Sequence, residues 1–226
     1  MPLFTNDGYF KESEAPVLDK DALQRFLSVC TRRKIPKKGV VIRAGDPANM
    51  LHYMIKGTAS VIHQDDDGKE VVLAYLGSGD FLGEIGIFYR TMSRVATVRA
   101  RTPCEVAELE YDRLFALLKN ELRDQHIQLL TAIGQQLAHR LLKTSRRVAS
   151  LATSDVPDRI AHTLLDLCTE AEAMSHPDGT QIHVSRQELA RICGCSREMV
   201  GRVLKTMSEA GMIKVSGMDI VVYHSR

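Results

Sequence analysis

Residues 185–207 read SRQELARICGCSREMVGRVLKTM, and their spacings predict two short helices joined by a sharp turn. Ser185 can cap the first helix, with Glu188 three residues on completing a capping box. Ala190 is small where two helices must cross closely. Gly194, four residues later, suits a turn that needs φ > 0, and Val200, six further on, returns to the packed inner face. Leu189, Cys193, Val200, Val203 and Leu204 would form the shared core. Ser196 can cap the second helix, whose first turn exposes Arg197 and Glu198, followed by Arg202 and Lys205. Several independent constraints thus agree on a helix-turn-helix. In such a unit the second helix meets base edges, where Arg pairs bidentately with guanine and Glu accepts from cytosine N4. A solvated face carrying the same charges is the bland alternative, and the surrounding framework argues against it. Positive charge is concentrated here: Arg186, Arg191, Arg197, Arg202 and Lys205 stand against Glu188 and Glu198, while the whole chain has a formal net charge of only +2.

Working outward, Met212-Ile-Lys-Val and Ile220-Val-Val-Tyr read as two strands paired across a turn at Gly217. Upstream, His176-Pro-Asp-Gly-Thr180 reads as a loop, and Pro157 suits the first turn of a helix running through Leu165 and Leu167. Before that, Ile127, Leu130, Gly134, Leu137, Leu141, Thr144, Val148 and Leu151 recur in steps of three and four, a heptad seam. A seam of that length on a helix already attached to a domain predicts cover by a second copy of the chain, a homodimer. Thr144 is polar within it, which costs stability unless it contacts something useful. From about Arg32 to Glu110 the pattern changes to short β-rich runs at 40–42, 51–55, 59–62, 71–75, 96–100 and 105–109. Gly45-Asp-Pro, Asp67-Gly68 and Gly77-Ser-Gly-Asp80 supply turns between them. These runs predict an antiparallel barrel or jelly roll. Residues 19–30 read as a short helix with Asp19 as N-cap and Leu23, Phe26, Leu27 and Cys30 on one face. The fold class is α+β.

Bulk properties exclude several classes. With 226 residues, 44% hydrophobic and 26% charged, the chain is expected to be an ordinary globular protein with a real core. The start at residues 1–7 lacks a basic segment followed by an apolar run, and no stretch approaches the roughly 20 apolar residues of a membrane span. No membrane association and a cytoplasmic location are expected. The five cysteines, Cys30, Cys104, Cys168, Cys193 and Cys195, are scattered and fit packed thiols better than disulfides or a metal site. The histidines (His52, His63, His126, His139, His162, His176, His183 and His224) show no carboxylate-rich spacing that would hold a hydrolytic metal pair, so no enzyme is expected. Cys30 alone upstream of the barrel argues against an iron–sulfur or haem sensor.

One stretch remains, FLGEIGIFYRTMSRVATV at residues 81–98. It sets Glu84 and Arg94 in apolar, strand-like company, where an unpaired buried charge is very expensive. With the motif Gly83-Glu84-Ile85-Gly86-Ile87-Phe88, Arg94 ten residues after the Glu, and the helix-turn-helix, the chain resembles the bacterial cyclic-AMP receptor proteins (Crp/Fnr superfamily) along nearly its whole length. The resemblance implies a cyclic-nucleotide-binding β jelly roll at 1–124, a dimerisation helix and hinge at 125–152, and a winged helix-turn-helix at 153–226. It implies that Glu84 accepts from a ribose 2′-hydroxyl, that Arg94 neutralises a cyclic phosphate with backbone N–H groups near Gly83, and that Thr144 and Ser145 touch the adenine. A planar, permanent guanidinium suits a phosphate. Val95 departs from the family's Ser or small residue, keeping the amide but losing a hydroxyl.

Cyclic AMP is accordingly the expected effector. Residues 174–181 and 184–189 also look like a CAP-like branch in which cyclic di-GMP, or no ligand, replaces activation by cyclic AMP. At the DNA end, the resemblance puts Arg197, Glu198 and Arg202 at base-reading positions and Arg186 and Gln187 where phosphate is contacted. Ser196 and Lys205 share that helix. The implied target is a palindrome of TGTGA-like half-sites about one helical turn apart. Residues 173–180 resemble a surface that engages the RNA polymerase α subunit, and Arg33 and Arg113 keep positive charge at a second polymerase surface, with Thr31 uncharged there.

Overall fold

The computed structural model describes residues 18–68, 70–89, 93–170 and 172–223. The readings made at residues 1–7 and at His224, and residues 90–92 of the Glu84–Arg94 stretch, lie outside them. Among the described residues, one compact unit takes in the chain up to Gln64 and Ala74–Lys143, and the other Asp65–Leu73 and the chain from Thr144 onward.

The first unit begins with α1 (Lys20–Ser28), where the Asp19 carboxylate accepts from the Ala22 N–H at 2.7 Å, as the capping pattern predicts. Eight strands follow: β1 (Thr31–Ile35), β2 (Val40–Ile42), β3 (Met50–Lys56), β4 (Ala59–Gln64), β5 (Glu70–Leu76, which crosses the unit boundary), β6 (Phe81–Leu82), β7 (Thr97–Ala100) and β8 (Cys104–Glu110). They form two antiparallel sheets in the orders β1-β8-β3-β6 and β2-β7-β4-β5. A four-residue helix α2 (Ile85–Phe88) lies between β6 and β7, and α3 (Tyr111–Lys119), a 3-10 turn and the long α4 (His126–Thr153) follow β8.

Alternation along β3 explains its near-continuous apolar sequence. Leu51 and Tyr53 face a helical layer that includes Phe26, Leu114, Leu129 and Ile133, and Met54 faces the inter-sheet core with Ile35, Val98 and Val106. Both faces are buried, so period-two polarity is absent. Phe26, Tyr53 and Phe81 meet edge to face, with centroids 5.0 to 6.2 Å apart. Cys30 is a packed thiol: it donates to the Phe26 carbonyl at 3.1 Å, and burial pushes its pKa up to about 12.

The second unit contains α5 (Val156–Cys168), β9 (Met174–His176), β10 (Gly179–His183), α6 (Arg186–Cys193), α7 (Arg197–Glu209), β11 (Ile213–Ser216) and β12 (Asp219–Tyr223). Its sheet runs β11-β12-β10-β9. Ile160, Leu164, Leu189, Val200, Leu204 and Ile220 are among the most buried residues of its core.

Three departures from the sequence reading stand out. β1 escapes the hydrophobic pattern because TRRKI is charged; it is an edge strand, where cations facing water discourage further pairing. β6 has two residues and gives no periodicity. The stretch 176–180 is the end of a β9–β10 hairpin in which His176 pairs with Gly179, not a loop: Pro177-Asp178 is the turn, and a Cβ on Gly179 would run into the Val222 carbonyl of β12.

Candidate functional site

In the first unit Gly83, Glu84 and Arg94 are held from two sides. Gly83 has φ +77, and a Cβ there would run into the Arg94 guanidinium, so only glycine admits both the backbone and the arginine. Arg94 does not pair with Glu84. Its Nη1 donates to the Tyr111 hydroxyl at 3.0 Å and its Nη2 to the Met50 carbonyl, while the Tyr111 hydroxyl donates to the Gly83 carbonyl at 2.5 Å. Burial pushes the Tyr111 phenol above its ordinary pKa, with Arg94 pulling the other way. Gly86 is required because a Cβ would meet the Tyr111 ring.

Glu84 is only 4% exposed and pairs with Arg140 of α4, whose Nη1 donates to its Oε1 at 2.6 Å. Arg140 Nη2 also reaches the Phe81 carbonyl at 2.9 Å and Asp80 at 3.3 Å. Gln136, one turn earlier, bonds both backbone groups of Phe81. Gly83, Glu84 and Arg94 are therefore brought together, with Tyr111, Gln136 and Arg140 as partners the sequence reading missed. The signal for the last two was present: they are polar residues spaced four apart on the same stripe as buried Leu129 and Ile133. Val95 is 67% exposed. Thr144 and Ser145 are exposed residues of α4 belonging to the second unit.

The helix-turn-helix follows its sequence closely. Ser185 accepts from the Glu188 N–H at 3.1 Å and Ser196 from the Met199 N–H at 3.1 Å. Gly194 is left-handed at φ 63, ψ 42, the conformation that closes α6. Leu189, Ala190, Cys193, Val200, Val203 and Leu204 are all buried. That packing leaves Arg197, Glu198, Arg202 and Lys205 of α7, and Arg186 and Gln187 of α6, exposed. Lys205 is 3.8 Å from Glu209 on its own helix, and Arg191 pairs with Glu70 at 3.3 Å. The β11–β12 hairpin beside α7 is the wing.

A β jelly roll carrying a Gly-Glu-x-Gly-x-Phe stretch, together with a winged helix-turn-helix that exposes cations on its second helix, defines a DNA-binding transcription regulator with a small-molecule domain. The comparisons agree. Residues 32–121 match the model of the cyclic nucleotide-binding domain and residues 158–224 that of the Crp-like helix-turn-helix domain. The CRP-like protein Clp of Xanthomonas campestris pv. campestris (strain B100) is 49% identical over 209 residues, 92% of this chain and 91% of the relative. The solved structure of CLP from Xanthomonas campestris, described as a c-di-GMP responsive global regulator, superposes with TM-score 0.84 at 49% identity, covering 92% of this chain and all of that one. A CRP/FNR-family transcriptional regulator of Thermus thermophilus shares the fold, with TM-score 0.71 at 22% identity over 86% of this chain and 94% of its own. The chain belongs to the Crp family of transcription regulators, and is of the Clp type within it.

Proposed function

We propose that the chain is a homodimeric, sequence-specific DNA-binding regulator that holds its DNA without cyclic AMP and is released from it by cyclic di-GMP. The observation that carries this choice of effector is Val95, exposed beside Arg94 where the cyclic AMP cassette would supply a hydroxyl. The Arg94 guanidinium, which a phosphate of either nucleotide would meet, is bonded to the Tyr111 hydroxyl at 3.0 Å and to the Met50 carbonyl. Val95 offers such a phosphate an amide but no hydroxyl, a loss of about 0.5–1.5 kcal/mol, roughly tenfold in affinity. The c-di-GMP responsiveness of the 49% identical relative supports the same choice. The effector favoured by the wider resemblance, cyclic AMP held by Gly83, Glu84, Arg94, Val95, Thr144 and Ser145, is the competing arm of the test.

In this reading residues 1–124 carry the effector domain, 125–152 pair the two copies, and 153–226 read DNA in the cytoplasm. The exposed Ile127, Leu141, Val148 and Leu151 of α4 support pairing, since an apolar row of this length favours cover. Arg197, Glu198 and Arg202 read TGTGA-type half-sites, and Arg186, Gln187, Ser196 and Lys205 face the phosphates. The β9–β10 hairpin at 173–180 meets the RNA polymerase α subunit. Arg33 is the weaker candidate for a polymerase contact, since it is spent on Glu108 at 2.6 Å and the Val41 carbonyl at 2.7 Å.

Calorimetric titration with each nucleotide, paired with binding to a TGTGA palindrome, tests the proposal. Binding without nucleotide that cyclic di-GMP weakens is the expected result. Tight cyclic AMP binding that promotes DNA binding and is lost in Arg94→Leu overturns the choice of effector. Failure to prefer the palindrome under any condition overturns the DNA assignment.

A further inference from the structure

β6 is the edge strand of its sheet. It pairs with β3 through His52↔Leu82 and Tyr53↔Phe81, and the Asp80 carbonyl accepts from the Met54 N–H at 2.8 Å. Backbone groups alternate sides along a strand, so those of Phe81 point to the open edge. Gln136 of α4 meets them there: the Phe81 N–H donates to Gln136 Oε1 at 2.9 Å, and Gln136 Nε2 donates to the Phe81 carbonyl at 2.9 Å. A side-chain carboxamide thus presents the donor and acceptor that a neighbouring strand would have supplied. Phe81 is only 1% exposed, so an unpaired peptide there would be costly. Arg140, one turn along, fastens the same segment through Phe81, Asp80 and Glu84. On packing alone, an apolar residue would serve between Ile133 and Leu137; a glutamine there is explained by its bonds.

We propose that Gln136 is the positioning residue that makes segment 80–84 and α4 move as one body, so that occupancy at Glu84 and Arg94 is passed to the long helix through the Phe81 peptide. This rests on the reading that the barrel binds a nucleotide effector, and it adds the route by which that binding is felt. A rigid clip transmits a population shift without creating one, since the ligand's differential affinity still sets its size.

The test is Gln136→Met in the full-length chain, which keeps the length and apolar contact but neither donates nor strongly accepts. Gln136→Glu, which keeps the acceptor and loses the donor, replaces it should the first variant not fold. Tyr111→Phe supplies a ligand-free disturbance, because it releases both Arg94 and the Gly83 carbonyl. Hydrogen exchange is then followed at segment 80–84 and at α4. With Gln136 present, Tyr111→Phe is expected to speed exchange in both places by about tenfold, roughly the worth of one hydrogen bond. With Gln136→Met, only segment 80–84 responds. An equal response of α4 in both backgrounds, or none in either, overturns the proposal.

In a second arm, cyclic di-GMP and cyclic AMP are the probes of DNA affinity. Whichever nucleotide shifts wild-type DNA affinity, Gln136→Met is expected to bring that shift to within about twofold of no effect at nucleotide concentrations that calorimetry shows to saturate the variant. A full shift retained in the variant overturns the role. If neither nucleotide acts on the wild type, the effector reading fails, and the exchange arm still decides what Gln136 does.

Discussion

At Arg94 and Val95 two neighbouring residues face opposite ways energetically. Arg94 is satisfied by Tyr111 and Met50, while Val95 leaves an apolar side chain 67% exposed. If the missing hydroxyl limits cyclic AMP binding, Val95→Ser tightens it by about tenfold, measured by calorimetry. Arg202 is exposed on α7, away from its buried Val200, Val203 and Leu204, so truncating its side chain leaves the packed face of the helix intact. Arg202→Ala is expected to cost about 1–3 kcal/mol on the palindrome with no loss of thermal stability. Competition against single-base variants checks it, since the preference at one base pair should disappear. A third residue reports on acid stability. The bond to His52 and then Arg33 hold the Glu108 carboxyl below its ordinary 4.5, against desolvation. A depressed folded value means the unfolded chain binds the proton first, so the stabilisation is present above about 4.5 and is lost as pH falls through the folded value. Melting temperature against pH should therefore fall less steeply below 4.5 in Glu108→Gln than in wild type.

At the scale of elements, legibility tracked how local the determinants were. The α6–α7 pair was readable to the residue because its two caps, its αL glycine and its core spacing all lie within one continuous stretch. β6 and the clip at Gln136 were not, because the partner of Phe81 lies 55 positions away and no local periodicity encodes it. The Glu84–Arg94 stretch was half legible. Its motif drew attention to Gly83, Glu84 and Arg94, but their partners within the chain, Arg140 for Glu84 and Tyr111 for Arg94, lie 56 and 17 positions away and no local pattern encodes them. The α4 seam shows the same limit. Leu129 and Ile133 bury one stripe and Leu137 is partly packed on it, so the exposed row that the proposed dimer would cover is narrower, running through Ile127, Leu141, Val148 and Leu151. Leu141→Glu with Val148→Glu places like charges across that row. Sedimentation at micromolar concentration should then show a monomer, with the melting transition of the barrel changed little because neither residue is buried.

In the proposed dimer, whole-molecule behaviour follows from having two copies of α7 on one operator. Each copy alone commands little specificity, since one recognition helix reads few base pairs, and two half-sites bound together multiply their discrimination only if both helices can engage at once. A palindrome with half-sites one helical turn apart presents them on the same side of the duplex. Inserting five base pairs rotates one half-site by about half a turn to the opposite face. In the proposed dimer, this should drop the affinity toward the non-specific level, a loss of at least about 10³. The salt dependence separates this loss of register from a loss of charge. Arg186→Ala, which removes a proposed phosphate contact, should lower the slope of log K against log salt by about 0.9 and weaken all sequences alike. The five-base-pair insertion should instead erase the difference between operator and random DNA. Equal binding to both spacings would mean that the two copies read DNA independently, and the homodimer would then have no part in recognition.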